Sequence, residues 1–154
     1  MFNLRNSTHR MKKTRFLLLF ALVAALLFAC KKDDETPRTK TELLTARTWL
    51  INEALAANSI GTVTIYRKGN AANAEDLSLF RLTLSSNGTY RLVDTDGDSG
   101  NGTWKFTDNE TKLNLDDGDA LWEVLTLTET NFDARYTDTE DIQPVLVTLK
   151  MIPQ

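Results

Sequence analysis

The chain has 154 residues, is 42% hydrophobic and 25% charged, and carries a formal net charge of −3. A single cysteine excludes any disulfide within the chain, and the single histidine, His9, lies in the first ten residues. An acidic chain fits poorly against phosphate backbones, so we predict that it does not bind nucleic acid.

The first 29 residues have the anatomy of a signal peptide. A basic stretch, Met11–Arg15, precedes the apolar run FLLLFALVAALLFA at 16–29. Fourteen apolar residues are too few to cross a bilayer as a helix but suit a signal-peptide core. We therefore predict that residues 1–29 are removed; whether translation begins at Met1 or at Met11 is left open.

The apolar run ends in Leu27-Phe28-Ala29-Cys30, which resembles the lipobox of bacterial lipoproteins. There a small residue lets the peptidase close on the bond, and the cysteine thiol takes the lipid. We predict that Cys30 is lipidated and anchors the protein in the outer membrane. The tether at 30–40, with the sequence KKDDETPRTK after Cys30, resembles an export signal to the cell surface; a simple solvated spacer is the alternative.

Residues 30–154 form an acidic chain of one domain's length. Removing residues 1–29 removes five of the 18 Lys and Arg and none of the 21 Asp and Glu, which leaves a net charge of −8. It also removes His9, which excludes Ser–His and Cys–His catalysis and the usual zinc and copper sites. We predict a non-enzymatic monomer that uses no cofactor and no metal.

Residues 41–154 are predicted to form one all-β domain after a short helical turn. Thr39 and Glu42 have the spacing of a capping box, and the turn is expected to end by Arg47. Short β-rich runs separated by turn residues follow. The nine predicted strands are 48–55, 61–67, 77–85, 89–94, 102–107, 112–115, 120–128, 131–137 and 144–152.

Mostly short links between these runs predict antiparallel neighbours in chain order. The longest link, KGNAANAED, joins the second and third runs. An up-and-down meander of this length most readily closes into a barrel, which removes its edges. A two-sheet sandwich is the alternative.

The stretch DTDGDSGNG at 94–102 has the alternating acids of a calcium loop. An EF-hand counted from Asp94 needs glycine at its sixth position and glutamate at its twelfth, but these are Ser99 and Lys105. Turn chemistry explains every residue of the stretch, so we predict a hairpin. Asp116, Asp117 and Asp119 form a second, looser candidate for calcium.

Paired acids and large aromatics are the remaining candidates for a site. Glu123 and Asp133 lie within strands, but no spacing singles them out as a glycosidase pair. The aromatics include Trp49, Trp104 and Trp122, which line a pocket in one interpretation and form barrel core in the other.

Four segments together resemble the bacterial lipocalin-like domain of Bacteroidetes-type lipoproteins. They are ELLTARTWLINEA, FRLTLSSNGTYRLVDTDGDSGNGTWKFTDNETKLNLDDGD, LTLTETNFDARY and PVLVTLKMIP, within about 41–152. A departure is Ala46-Arg47, where the family often has glycine. The resemblance implies an eight-stranded, lipocalin-like barrel, a size that either fills with side chains or holds one small ligand.

Two functions are open for such a barrel, and the resemblance favours the first. The first is binding of a small apolar or amphipathic ligand inside the barrel. The second is a structural or interaction role for a filled barrel, through its outer face and loops. For the first, the predicted ligand contacts in the barrel interior are Trp49, Phe80, Leu82, Leu84, Tyr90, Leu92, Trp104, Phe106, Phe132 and Tyr136.

Overall fold

The computed structural model describes residues 37–118, 120–139 and 144–154. The predicted signal peptide, Cys30, the tether up to residue 36 and Asp119 lie outside these residues. One compact unit runs from Arg38 to Gln154. None of the helices in the described residues has the length and apolar character to cross a membrane.

In the described residues, the unit has one short helix and nine strands. Helix α1 spans Lys40–Thr45, and a single 3₁₀ turn spans Asp116–Gly118. The strands are β1 (Thr48–Ala57), β2 (Thr62–Arg67), β3 (Arg81–Leu84), β4 (Thr89–Val93), β5 (Ser99–Thr107), β6 (Lys112–Leu115), β7 (Ala120–Leu127), β8 (Phe132–Asp138) and β9 (Val145–Pro153).

The predicted antiparallel meander closing into a barrel of about eight strands is confirmed. Strands β3 to β9 pair in chain order, and β1 closes the ring by pairing with both β3 and β9. The single closed sheet excludes the sandwich. Strand β2 is the one additional strand and lies outside the eight-stranded ring. It pairs with the second half of β1.

The outer edge of β2 is covered by the long link that follows it. Asn73 Oδ1 accepts from Arg67 N at 2.8 Å, and Asn73 Nδ2 donates to Arg67 O at 3.0 Å. The amides of Ala74 and Glu75 both donate to the carbonyl of Ile65. An amide side chain and two loop amides thus replace part of a neighbouring strand, which protects an otherwise open edge.

Helix α1 lies against one end of the barrel, which we call the helix end. Thr39 and Glu42 form the predicted capping box, with Glu42 N donating to Thr39 Oγ1 at 3.2 Å. Lys40 Nζ donates to Glu110 O at 2.7 Å, so the helix contacts the β5–β6 turn. Residues assigned to the tether by sequence therefore contact the domain.

Large side chains fill the helix end. Trp49 and Phe132 are fully buried, with ring centroids 5.6 Å apart in an edge-to-face arrangement. Trp49 Nε1 donates to the carbonyl of Leu44 at 2.9 Å, which satisfies the buried indole and fixes α1 to β1.

A glycine in β5 makes room for a tyrosine and an aspartate. The Tyr90 hydroxyl donates to Asp116 Oδ2, and Thr103 N donates to Asp116 Oδ1 at 2.9 Å. Both hydrogen bonds lower the pKa of Asp116, and the bond from the Tyr90 hydroxyl has the larger effect. A Cβ at Gly102 would lie 2.7 Å from two ring atoms of Tyr90 and closer still to Asp116 Oδ1.

On the outer face, one carboxylate joins three strands. Glu53 Oε1 accepts from Arg67 Nη2 at 2.5 Å, and Glu53 Oε2 accepts from Lys150 Nζ at 2.7 Å. Both hydrogen bonds lower the pKa of Glu53, and the bond from Lys150 has the larger effect. The carboxylate thereby links β2, β1 and β9 across the seam that closes the barrel.

Gly102→Ala will destabilise the protein by about 1–3 kcal/mol, because the added methyl must displace Tyr90 or Asp116. Gly100→Ala, two residues away in β5, is the matched control, since its Cβ would meet nothing within 4 Å. Its effect should stay within about 0.5 kcal/mol. Urea unfolding measures both; equal effects would contradict the steric account.

Glu53→Gln will lower the free energy of unfolding by about 1 kcal/mol at neutral pH. Because the folded state lowers the pKa of Glu53, this stabilisation is complete above the unfolded pKa of about 4.3 and is lost as the pH falls through the folded value. Unfolding from pH 7 downward should show the wild-type advantage shrinking. A wild-type advantage over Glu53→Gln that persists at the acid end would contradict the assignment.

Candidate functional site

A cavity of about 510 Å³ occupies the end of the barrel opposite α1, which we call the far end. Strands β1, β8 and β9 reach this end at Ala57, Asp138 and Val145, as their register shows. The volume lies within the usual range of small-molecule pockets, about 300–1,000 Å³. The interior is therefore filled at one end and hollow at the other.

Most of the cavity wall is apolar and comes from strands that the meander brings together. Val145, Val147 and Leu149 alternate along β9, so all three point inward, as period-two geometry requires. The apolar lining residues are Ile51, Ala56, Ile65, Leu77, Phe80, Trp122, Tyr136, Val145, Val147 and Leu149.

A pair of stacked aromatic rings stands in this wall. Trp122 on β7 and Tyr136 on β8 have centroids 5.7 Å apart and ring planes only 16° from parallel. Glu123 pairs with Arg135 in the register, which places Trp122 opposite Tyr136 on the inner face. Phe80 contributes a third ring where the chain enters β3.

Strand β2 and the link after it supply one side of the wall. Ile65, Glu75 and Leu77 all line the cavity. The link also approaches the β4–β5 turn, where a Cβ at Gly97 would lie 3.5 Å from Leu79 Cδ1. This segment therefore continues the wall beyond the eight-stranded ring.

The polar residues of the lining are three acids and one uncharged threonine. They are Glu75, Asp94, Thr95 and Asp138, and no Lys or Arg is among the described residues that line the cavity. Asp138 lies two residues beyond Tyr136 at the end of β8, so it stands nearer the rim than the aromatic pair. The cavity is thus apolar within and acidic toward the far end.

The stretch that resembled a calcium loop is the predicted hairpin. Asp94 Oδ1 accepts from the amides of Asp96 and Asp98 at 3.0 and 2.9 Å, and Gly97 has a left-handed φ of 91°. Residues 99–101, which sequence assigned to the connection, extend β5 instead. The turn's role in the site is to hold Asp94 at the cavity rim.

In the second acidic turn, the described carboxylates also bind groups of the protein. Asp116 accepts from Tyr90 and Thr103, and Asp117 Oδ1 pairs with Lys105 Nζ at 2.8 Å. Within residues 37–118, 120–139 and 144–154, no group of three or more acids, histidines or cysteines is arranged to hold a metal ion.

The two strand acids of the glycosidase hypothesis belong to separate pairings on the outer face. Glu123 Oε2 accepts from Arg135 Nη2 at 2.5 Å. Asp133 lies opposite Thr126 and Lys150, and its burial raises its pKa. Neither residue lines the cavity.

The ten predicted ligand contacts separate into three groups. Phe80 and Tyr136 line the cavity. Five others are buried core residues outside its lining: Trp49, Leu82, Leu84, Trp104 and Phe132. Tyr90, Leu92 and Phe106 are half-buried and pack against that core.

Sequence reasoning missed most of the lining because alternation shows which side chains point inward, but not how far along the barrel they lie. The alternation of Val145 and Val147 was visible, and Trp122 was among the noted aromatics. The distance of each residue from α1 along the barrel would have distinguished these cavity residues from Trp49 and Phe132, which lie at the helix end. Ile65 and Glu75 depended on the path of the long link, which no periodicity records.

No protein-family model matches the chain, and no curated protein matches it either. The resemblance to the lipocalin-like domain therefore remains a prediction from sequence, while the barrel and its cavity are described by the structure.

Proposed function

We propose that the protein is a lipid-anchored lipoprotein of the outer membrane that binds a small apolar or amphipathic ligand in the far-end cavity, without catalysing a reaction. The observation that carries this proposal is the cavity of about 510 Å³ inside a barrel whose other end is occupied by large buried side chains. A pocket of this size with apolar walls and a few polar groups is the usual form of a small-molecule site.

The distribution of the core supports ligand binding over a purely structural role. Trp49, Phe132 and Met151 are fully buried, so the barrel has side chains large enough to fill its interior. At the far end, the small side chains of Ala56, Val145 and Val147 leave space inside the wall that also holds the larger rings. An unfilled apolar space forgoes packing energy, and occupancy by a ligand would recover that contact.

The membrane part of the proposal comes from sequence. A basic stretch, an apolar core and Ala29-Cys30 at its end together support lipidation of Cys30, and the charged residues after it support a tether exposed at the cell surface. Residues 30–154 contain no histidine and no second cysteine, which supports binding rather than catalysis.

Ligand binding is tested with N-phenylnaphthylamine, an uncharged apolar dye, and the mature chain of residues 30–154 carrying Cys30→Ser. We expect one dye per chain, with increased dye emission. Ala56→Phe should fill part of the cavity and weaken binding at least about tenfold, whereas Ala71→Phe, an exposed change in the long link, should not. Equal binding by both variants would place the dye elsewhere and contradict the proposal.

The anchor is tested in cells of the native host. Cys30→Ser should abolish incorporation of labelled palmitate and release the protein from the membrane fraction, because Cys30 is the chain's only thiol. Lys31→Ser, next to it, should keep both properties. A Cys30→Ser protein that stays labelled in the membrane would overturn the lipoprotein assignment.

A further inference from the structure

We infer that the cavity selects amphiphiles whose head group is positively charged, an amine or a quaternary ammonium, and discriminates against carboxylates and phosphates. This inference rests on the proposed function and adds the charge of the ligand to it. The site is the apolar cavity itself; its rim decides which head group can remain there.

The apolar depth of the cavity provides for the tail. Ile51, Val147 and Leu149 surround the part of the space nearest the packed core. All three side chains are apolar, so a hydrocarbon chain that packs against them deprives no polar side chain there of a hydrogen bond. Burial of its apolar surface stabilises the complex.

The rim sets the sign of the head group. Glu75, Asp94 and Asp138 come from three separate segments, the long link, the β4–β5 turn and the end of β8, and all three line the cavity. A cationic head held among them gains Coulomb attraction at short range in a partly dry site. An anionic head would lose its water and meet carboxylates of its own sign, with no basic side chain in the described lining to pair with it.

The aromatic rings act in the same direction. Phe80, Trp122 and Tyr136 all line the cavity, and Tyr136 lies one inward position deeper than Asp138 on β8. Aromatic faces attract cations through the ring quadrupole, and rings combined with carboxylates are the usual surroundings of bound quaternary ammonium groups. A head group between Asp138 and Tyr136 would contact both.

The test uses three probes with the same tail: decyltrimethylammonium, decanol and decanoate. Each is titrated below its micelle concentration, at neutral pH, against the mature Cys30→Ser chain loaded with N-phenylnaphthylamine. We expect the ammonium to displace the dye at a concentration at least about tenfold lower than decanoate, with decanol between them. Raising the salt concentration should narrow the gap between the two charged probes.

Two double variants that each remove two negative charges distinguish an effect of the rim carboxylates from an effect of the protein's net charge. Glu75→Gln combined with Asp138→Asn should reduce the preference for ammonium over decanoate several-fold. Glu110→Gln combined with Asp108→Asn removes the same charge from the β5–β6 turn at the helix end and should leave the preference intact.

The outcomes distinguish the inference from the function on which it rests. Dye binding with equal or tighter displacement by decanoate overturns the charge preference and leaves apolar binding standing. A preference that falls equally in both double variants also overturns it, because net charge alone would then explain the result. No dye binding, together with no adduct of any decyl probe in native mass spectrometry, overturns both proposals.

Discussion

The pairing of β1 with β9 along its whole length is the interaction on which the barrel depends. It joins the two ends of the domain, and the bond between Glu53 and Lys150 spans 97 residues of sequence. Without this seam the sheet would have two open edges and no enclosed interior. Contacts so distant in sequence carry a high loop-closure cost, so the seam forms at the expense of chain entropy that the buried core must offset.

The other side of β1 is shared, and this division shapes the interior. Its first residues pair with β3, where Trp49 lies opposite Leu82, and its second half pairs with β2. Where β1 meets β3, the ring is tight and the packed core lies inside. Where β1 meets β2, a separate hairpin and its link form the wall, and the cavity lies behind them. One strand thus positions both the core and the candidate site.

Local signals in the sequence predicted most of the local structure, although β3 begins at Arg81 and the predicted strand began at residue 77. The capping box at Thr39 and Glu42 involves residues three apart, and the strand runs follow period-two alternation, so neither depends on distant contacts. The acidic hairpin at 94–98 followed from turn chemistry for the same reason. Two features depended on tertiary structure instead. The displacement of β2 from the ring required knowing that β3 would cross to β1, and the depth of each inward residue required knowing which end α1 would close. For that reason Phe132 was predicted beside Tyr136 as a ligand contact, although one lies in the core and the other in the cavity wall.

Because β2 lies outside the ring, two parts of the domain can be distinguished: the eight-stranded ring and the segment at 60–79. Residues 60–79 contribute to the cavity wall through Ile65, Glu75 and Leu77, yet they provide none of the pairings that close the eight strands. We expect substitutions or changes of length in this segment to alter the shape and charge of the cavity, while the backbone pairings of the eight-stranded ring remain. A barrel of this kind can vary its cavity without any change in the strand pairing that closes it.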